Sequence, residues 1–77
     1  MASWVIEKHE FYASFETRIV VEFVWNKEKP YTINTIIFEN EKVTEINTKE
    51  AYNHEQARKV FIREIARVRR EKVIKDD

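Results

Sequence analysis

The sequence predicts an α+β domain in which an antiparallel meander of three or four strands is packed by one long C-terminal helix. Two patterns within the 77 residues indicate this. The first half alternates apolar and polar side chains with the period of two that strands show. From about residue 54, apolar residues recur every three or four positions, as on one face of a helix. We therefore expect a single domain over 1–77, with the sheet over about 3–46 and the helix over about 54–73.

Residues 17–25 form the clearest predicted strand. One alternate set within it is largely apolar and is expected to face the core: Thr17, Ile19, Val21, Phe23 and Trp25. The next strand, 31–39, is rich in β-branched residues and follows a turn that ends at Pro30. The expected first strand is 4–12, but Lys8, His9 and Glu10 disturb its alternation, so the sequence does not assign its faces.

The chain contains no glycine, so a turn that needs a positive φ must use another residue. Asparagine is the next most tolerant residue in that region. We expect Asn40 and Glu41 to form a two-residue hairpin loop that leads into a short fourth strand, 42–46. Asn26 is expected to serve the turn before Pro30.

Two capping-box spacings precede the predicted helix, Asn47 with Glu50 and Asn53 with Gln56. The helix therefore begins either near residue 48 or near His54, and we favour the second, with a single helical turn before it. The predicted sheet-facing stripe consists of Ala57, Phe61, Ile65 and Val68, broadened by Val60 and Ile62.

Charge is unevenly distributed along the chain. Residues 1–53 carry six basic and nine acidic side chains, whereas residues 54–77 carry eight basic and five acidic ones. At about 100° per residue, four cations lie almost opposite the apolar stripe, and we call them the basic stripe: Lys59, Arg63, Arg67 and Arg70. The basic stripe suits an acidic protein patch or the phosphates of RNA or DNA, and its alternative is an ordinary solvated face.

A second candidate surface is the sheet face that points away from the helix. Val20, Val24, Ile36 and Phe38 are expected there. An exposed apolar patch of this kind usually marks a protein interface, and a small domain gains buried area by forming a homodimer. The alternative is that loops or the N-terminal segment cover these residues.

The sequence gives no positive indication of an enzyme, a metal site or a cofactor. The absence of cysteine excludes disulfides and thiolate zinc sites, and the absence of glycine excludes phosphate-cradling loops. His9 and His54 do not have metal-ligand spacing, and neither serine lies in a nucleophile motif. We therefore expect no catalytic residue. The one enzymatic set to test is a metal-free ribonuclease built from His9, Glu7 and a helix arginine.

No known family is recognised, and the N-terminus has neither the basic region nor the apolar run of a signal peptide, so a cytoplasmic protein that is not membrane-bound is expected. The leading hypothesis is a small non-enzymatic protein-binding module that self-associates. In style it resembles small phage or mobile-element proteins, inhibitors or adaptors that bind and block a host protein, although no motif carries that resemblance. Its partner would be a protein with an acidic patch. Replacing Arg63 and Arg67 by glutamate should then weaken binding and leave the fold intact.

The alternative hypothesis is nucleic-acid binding through the basic stripe. The pI of about 6.7 counts against it, because nucleic-acid-binding domains commonly exceed 9.

Overall fold

The computed structural model describes residues 3–28 and 30–72. Four strands form one antiparallel sheet in sequence order, and a single helix packs on one of its faces. The strands are β1 (Ser3–Tyr12), β2 (Thr17–Asn26), β3 (Tyr31–Glu39) and β4 (Lys42–Ala51), and the helix is α1 (His54–Glu71). The predicted α+β meander with one helix is confirmed, with four strands. The predicted helix end near residue 73 lies outside the described residues.

The core forms where the two central strands meet α1. Ile19, Val21 and Phe23 of β2 are each at most 1% exposed, as their alternation predicts. Antiparallel pairing sets Ile37 beside Ile19 and Ile33 beside Phe23 on the same face. The helix contributes three fully buried apolar residues to this cluster: Ala57, Phe61 and Val68.

β1 contains an irregularity in its pairing with β2 between Val5 and Glu7. An extra residue in one strand shifts the alternation of its side chains, which is why the sequence did not reveal the faces of this strand. Beyond the irregularity, Glu7, His9 and Phe11 pair with core-facing residues of β2 and therefore lie on the helix side.

β4 continues to Ala51, five residues past the predicted end at residue 46. Residues 47–50, which resemble a first capping box, form no helical turn and pair with β3 instead. Thr48 Oγ1 donates to Asn34 Oδ1 at 2.8 Å, which ties this polar stretch to its neighbour.

α1 begins at His54, the later of the two predicted starts. Asn53 is its N-cap, and Asn53 Oδ1 accepts from the Gln56 backbone N–H at 2.8 Å. Ala57, Phe61 and Val68 are buried as predicted, whereas Ile62 is exposed. Glu64 completes the buried stripe, so the helix is rotated relative to the predicted orientation.

Asn40 and Glu41 form the predicted two-residue hairpin turn, with φ values of 53° and 65°. Two successive positive φ values are those of the type I′ turn, which matches the twist of the flanking strands. Asn26 acts differently, through its side chain. Its Nδ2 donates to the Pro30 carbonyl at 3.0 Å and to Thr32 Oγ1 at 3.1 Å, which closes the β2–β3 loop.

Candidate protein interface

The register of the strands arranges the outer side chains, those on the sheet face away from α1, in rows across the sheet. Two adjacent rows near the hairpin turns contain most of the apolar residues. One row is Glu10, Val20, Ile36 and Ile46, and the next is Tyr12, Arg18, Phe38 and Val43. We call the apolar members of these rows the outer patch: Tyr12, Val20, Ile36, Phe38, Val43 and Ile46.

Three of the four sheet residues expected from the sequence, Val20, Ile36 and Phe38, belong to the outer patch. Val24 lies apart from it, because a polar row crosses the sheet between them. In that row Asn34 Nδ2 donates to Glu22 Oε1 at 2.9 Å, and Thr48 donates to Asn34. The structure therefore does not unite the four residues in one surface.

The exposed area of the outer patch comes mainly from the two edge strands. Val20 is buried on an inner strand, whereas Val43 is 51%, Ile46 61% and Tyr12 62% exposed. The alternation of the sequence does not reveal these three residues. Val43 and Ile46 are three positions apart, so simple alternation places them on opposite faces. An irregularity in the β3–β4 pairing at Ile37/Phe38 brings them to the same face.

Acidic groups dominate the charges around the outer patch. The Arg18 guanidinium lies 4.2 Å from the centre of the Phe38 ring, and it is 3.4 Å from Glu10 Oε1 and 3.6 Å from Glu41 Oε2. Lys8 Nζ lies 3.9 Å from the same Glu10 oxygen. Because Glu22 also projects from the adjacent polar row, three carboxylates outnumber two cations, and both cations are paired.

The basic stripe lies on the other side of the molecule, and its cations are unequal. Lys59 lies 3.7 Å from Glu55 and Arg70 lies 3.6 Å from Glu71. Within the described part of the chain, Arg63 has no carboxylate within 4 Å. These exposed pairs are weak, so Lys59 and Arg70 remain accessible to a ligand, although part of their charge is compensated.

Arg67 is committed to a buried carboxylate instead of to solvent. Glu64 is 1% exposed, and it accepts hydrogen bonds from Thr35 Oγ1 at 2.8 Å, from Lys49 Nζ at 2.9 Å, and from Arg67 Nε and Nη2. The bonds from Arg67 are the largest cause that lowers the pKa of Glu64 from 4.5 to about 2, against the opposing effect of burial. The same contact raises the pKa of Arg67. The fold is therefore not expected to tolerate Arg67→Glu, contrary to the expectation from sequence.

A groove separates β1 from α1, because the helix packs mainly on β2, β3 and β4. Its volume is about 240 Å³, and its lining includes Arg58, Ile62, Ile65 and Arg69 of the helix above Glu7 and His9 of β1. The Arg69 guanidinium lies 5.5 Å from the centre of the Phe11 ring on this side of the sheet. Arg58 and Arg69 were not among the predicted site residues, although their spacing of three helical turns places them on one side of the helix.

The groove brings together the residues of the ribonuclease hypothesis. His9 Nε2 lies 2.9 Å from Glu7 Oε2, and Arg58 Nη1 lies 4.0 Å from Glu7 Oε1. A general base and a general acid must each be within hydrogen-bond reach of the proton that they transfer. In phosphodiester cleavage the two groups therefore stand on opposite sides of the scissile bond. His9 and Glu7 are hydrogen-bonded to each other here, so the two side chains do not stand on opposite sides of the groove.

No protein-family model, curated protein or solved structure matches the chain. Over residues 3–28 and 30–72, no helix combines the length and apolar character needed to cross a membrane. In the same residues, no three His, Asp or Glu side chains are grouped so that they could hold a metal ion.

Proposed function

We propose that the chain is a small non-enzymatic protein-binding module whose docking surface is the outer patch. The observation that supports this is the exposure of Tyr12, Val43 and Ile46, each more than half exposed, in adjacent rows of a face that no described element covers. Isolated apolar residues are normal on a surface, but adjacent ones usually mark an interface. Tyrosine and arginine, both present in these rows, are residue types that anchor interfaces.

The charges around the outer patch define the chemistry of the partner. Three carboxylates and two paired cations lie around it, so the complementary surface has an apolar centre and a basic rim. This differs from the acidic partner that the basic stripe suggested, because the stripe faces the opposite way. An inhibitor or adaptor of this kind acts by covering the partner's surface, which requires no reaction.

Nucleic-acid binding through the basic stripe receives less support from the geometry. Arg67 is held by Glu64, and Lys59 and Arg70 have carboxylates nearby. The two functions differ in their salt dependence. Phosphate binding falls with salt by a log–log slope of about −0.9 per neutralised phosphate, whereas docking of an apolar patch falls much less.

The first experiment places a photo-crosslinking amino acid at position 46 and, in a separate variant, at position 63, in the cells from which the chain comes. We expect a defined protein adduct at position 46 that Val43→Lys abolishes. Adducts that persist in Val43→Lys would contradict docking at the outer patch. Crosslinks to nucleic acid at position 63 would favour the alternative function.

The partner identified in this way is then titrated against purified variants. Val43→Lys with Ile46→Lys should weaken binding at least about tenfold, which corresponds to about 1.4 kcal/mol, because two lysines then face a basic rim. Thr48→Lys is the matched control, since Thr48 lies on the same face of β4 but outside the outer patch. An equal loss in the control would indicate a general charge effect.

A cleavage assay tests the non-enzymatic part of the proposal. We expect the purified chain to leave a mixed-sequence RNA intact. Cleavage that disappears in both His9→Ala and Glu7→Gln would contradict the proposal and would assign a catalytic role to the groove.

A further inference from the structure

β1 forms one edge of the sheet, and it lies outside the area that the helix covers. The part of β1 that pairs without interruption with β2 runs from residue 7 to residue 12. Every second backbone N–H and C=O of such an edge has no partner within the sheet and can bind another strand. At the opposite edge, β4 is tied to α1 by the bond from Lys49 to Glu64. β4 is also unpaired on its outer side, but α1 packs over β4 and little over β1, so β1 has more room for a second copy that carries its own helix.

We propose that two copies of the chain pair through their β1 strands, antiparallel about a two-fold axis at His9, to form one eight-stranded sheet. The axis is perpendicular to the sheet, so both helices lie on the same side and both outer patches on the other. The contact is isologous, meaning that each copy uses the same residues. Of the outer patch only Tyr12 lies on β1, and the members on β2, β3 and β4 stay uncovered, so the pairing does not depend on the proposed function.

Charges on the outer side of β1 select this register. Lys8 and Glu10 pair with outer-face residues of β2, and both side chains are about half exposed. With the axis at His9, each Lys8 lies directly opposite Glu10 of the second copy. Shifting the axis by one residue would oppose Lys8 to Lys8, or Glu10 to Glu10, and like charges directly opposite each other are destabilising.

The helix side of β1 is also complementary in this register. Glu7 lies opposite Phe11 of the second copy, and Arg69 is the guanidinium placed over the Phe11 ring. The second copy's Glu7 therefore comes within reach of Arg69. The two-fold axis repeats this charge pair, so the interface contains two carboxylate–arginine pairs on one side of the sheet and two lysine–glutamate pairs on the other.

Pairing through β1 completes a site that a single copy shows only in part. With strands about 4.8 Å apart, a helix centred over β3 lies about 12 Å from the axis, and the two helices about 24 Å apart. Helices about 10 Å wide then leave a cleft of about 14 Å. The two grooves merge into this cleft, with β1 of each copy as its floor. Ile62 and Ile65 of both copies line its walls, which gives a role to the exposed Ile62.

Molar mass in solution tests the pairing, and a mixing experiment tests its register. The wild-type chain should sediment as a dimer that dissociates on dilution. Lys8→Glu and Glu10→Lys each place like charges opposite one another at two positions, so each variant alone should dimerise at least about tenfold more weakly. An equimolar mixture of the two variants should restore the dimer, because a glutamate of one variant then faces a lysine of the other at both positions. Glu10→Lys also loses its contact with Arg18. It does so both alone and in the mixture, so this loss does not affect the comparison between the two samples.

Disulfide trapping provides the second test, in a chain that has no native cysteine. In His9→Cys the two cysteines meet at the axis, where directly opposed Cα atoms are about 4.5–5.5 Å apart, within disulfide range. Mild oxidation should give a covalent dimer, whereas the control Thr48→Cys should crosslink only at the rate of random collision. Equal rates, a monomeric wild type, or a mixture that stays monomeric would overturn the proposal. Val43→Lys with Ile46→Lys should leave the dimer intact, and its dissociation would instead make the outer patch the self-association surface.

Discussion

Glu64 is the one charged residue buried in the described part of the chain, and it links the helix to the sheet. Its carboxylate is buried, and donors from β3, β4 and α1 itself converge on it. A domain of this size has a total stability of roughly 4–12 kcal/mol, and removing one partner of a buried ion pair costs about 3–5 kcal/mol. The hydrogen bonds of Glu64 therefore represent a large share of the stability of the domain.

Glu64→Gln should lower the free energy of unfolding by about 3 kcal/mol, because the amide keeps the size of the side chain but removes the charge that Lys49 and Arg67 require. Urea unfolding at neutral pH measures this change. Glu71→Gln is the matched control, since Glu71 also contacts Arg67, at 3.8 Å, but is half exposed. Its effect should stay below about 0.5 kcal/mol. Equal effects would show that the burial of Glu64 has no energetic importance.

The same carboxylate should make stability depend on pH in the acid range. The pKa of Glu64 is about 2 in the folded chain and 4.5 when unperturbed. The unfolded chain therefore takes up the proton first, so stability is complete above about pH 4.5 and falls as the pH is lowered toward 2. The fall amounts to about 3 kcal/mol. Urea midpoints between pH 6 and pH 2.5 should decline more steeply for the wild type than for Glu64→Gln, and parallel curves would contradict the assignment.

Sequence patterns did not predict the burial of Glu64, for a physical reason. Charged residues are rarely buried unless they are paired, and the pairing partners came from distant strands. The spacing of Glu64 nevertheless indicates the buried face of the helix, because Glu64 lies three residues after Phe61 and four before Val68. Because Glu64 was not included in the predicted sheet-facing stripe, Arg67 was counted in the basic stripe, whereas the structure shows Arg67 bound to Glu64.

At the scale of elements, the β3–β4 hairpin contains a local conflict between residue and conformation. Glu41 has a φ of 65°, a region in which residues other than glycine are strained by about 1 kcal/mol. Glu41→Gly should therefore raise the free energy of unfolding by about 0.5–1 kcal/mol, with Glu41→Asn intermediate. Loss of the Arg18 contact should matter little, because the Glu41 carboxylate is 82% exposed. Thermal unfolding gives the ranking, and a destabilised glycine variant would show that the contact outweighs the strain.

The strands show which elements a sequence can and cannot reveal. β2 was predictable because it is regular and one of its faces is strongly apolar. The faces of β1 and the length of β4 were not, because irregular pairing interrupts both edge strands and because residues 47–50 imitate a helix cap. The same irregularity in the β3–β4 pairing hid Val43 and Ile46, so sequence alternation located only the inner, less exposed half of the outer patch.

At the scale of the whole molecule, charge is separated across the thin dimension of the domain. The outer face of the sheet carries more carboxylates than cations, whereas α1 carries six basic and three acidic side chains. The smallest Cα extent is only 15 Å, so charges on the helix contribute to the potential at the outer patch in dilute salt. The positive charges of the helix slow the approach of a basic-rimmed partner and speed that of an acidic one, so the association rate distinguishes the two kinds of partner.

Lys59→Glu with Arg63→Glu changes the net charge from 0 to −4 without touching the outer patch or Glu64. If a basic-rimmed partner docks on the outer patch, association at low ionic strength should become about two- to fivefold faster, because the variant attracts that partner more strongly. The dissociation rate should stay unchanged. At 0.15 M salt, where the screening length is about 8 Å, the acceleration should largely vanish. Stopped-flow mixing with the partner measures both rates, and slower association of the variant would instead indicate an acidic partner that approaches the basic stripe.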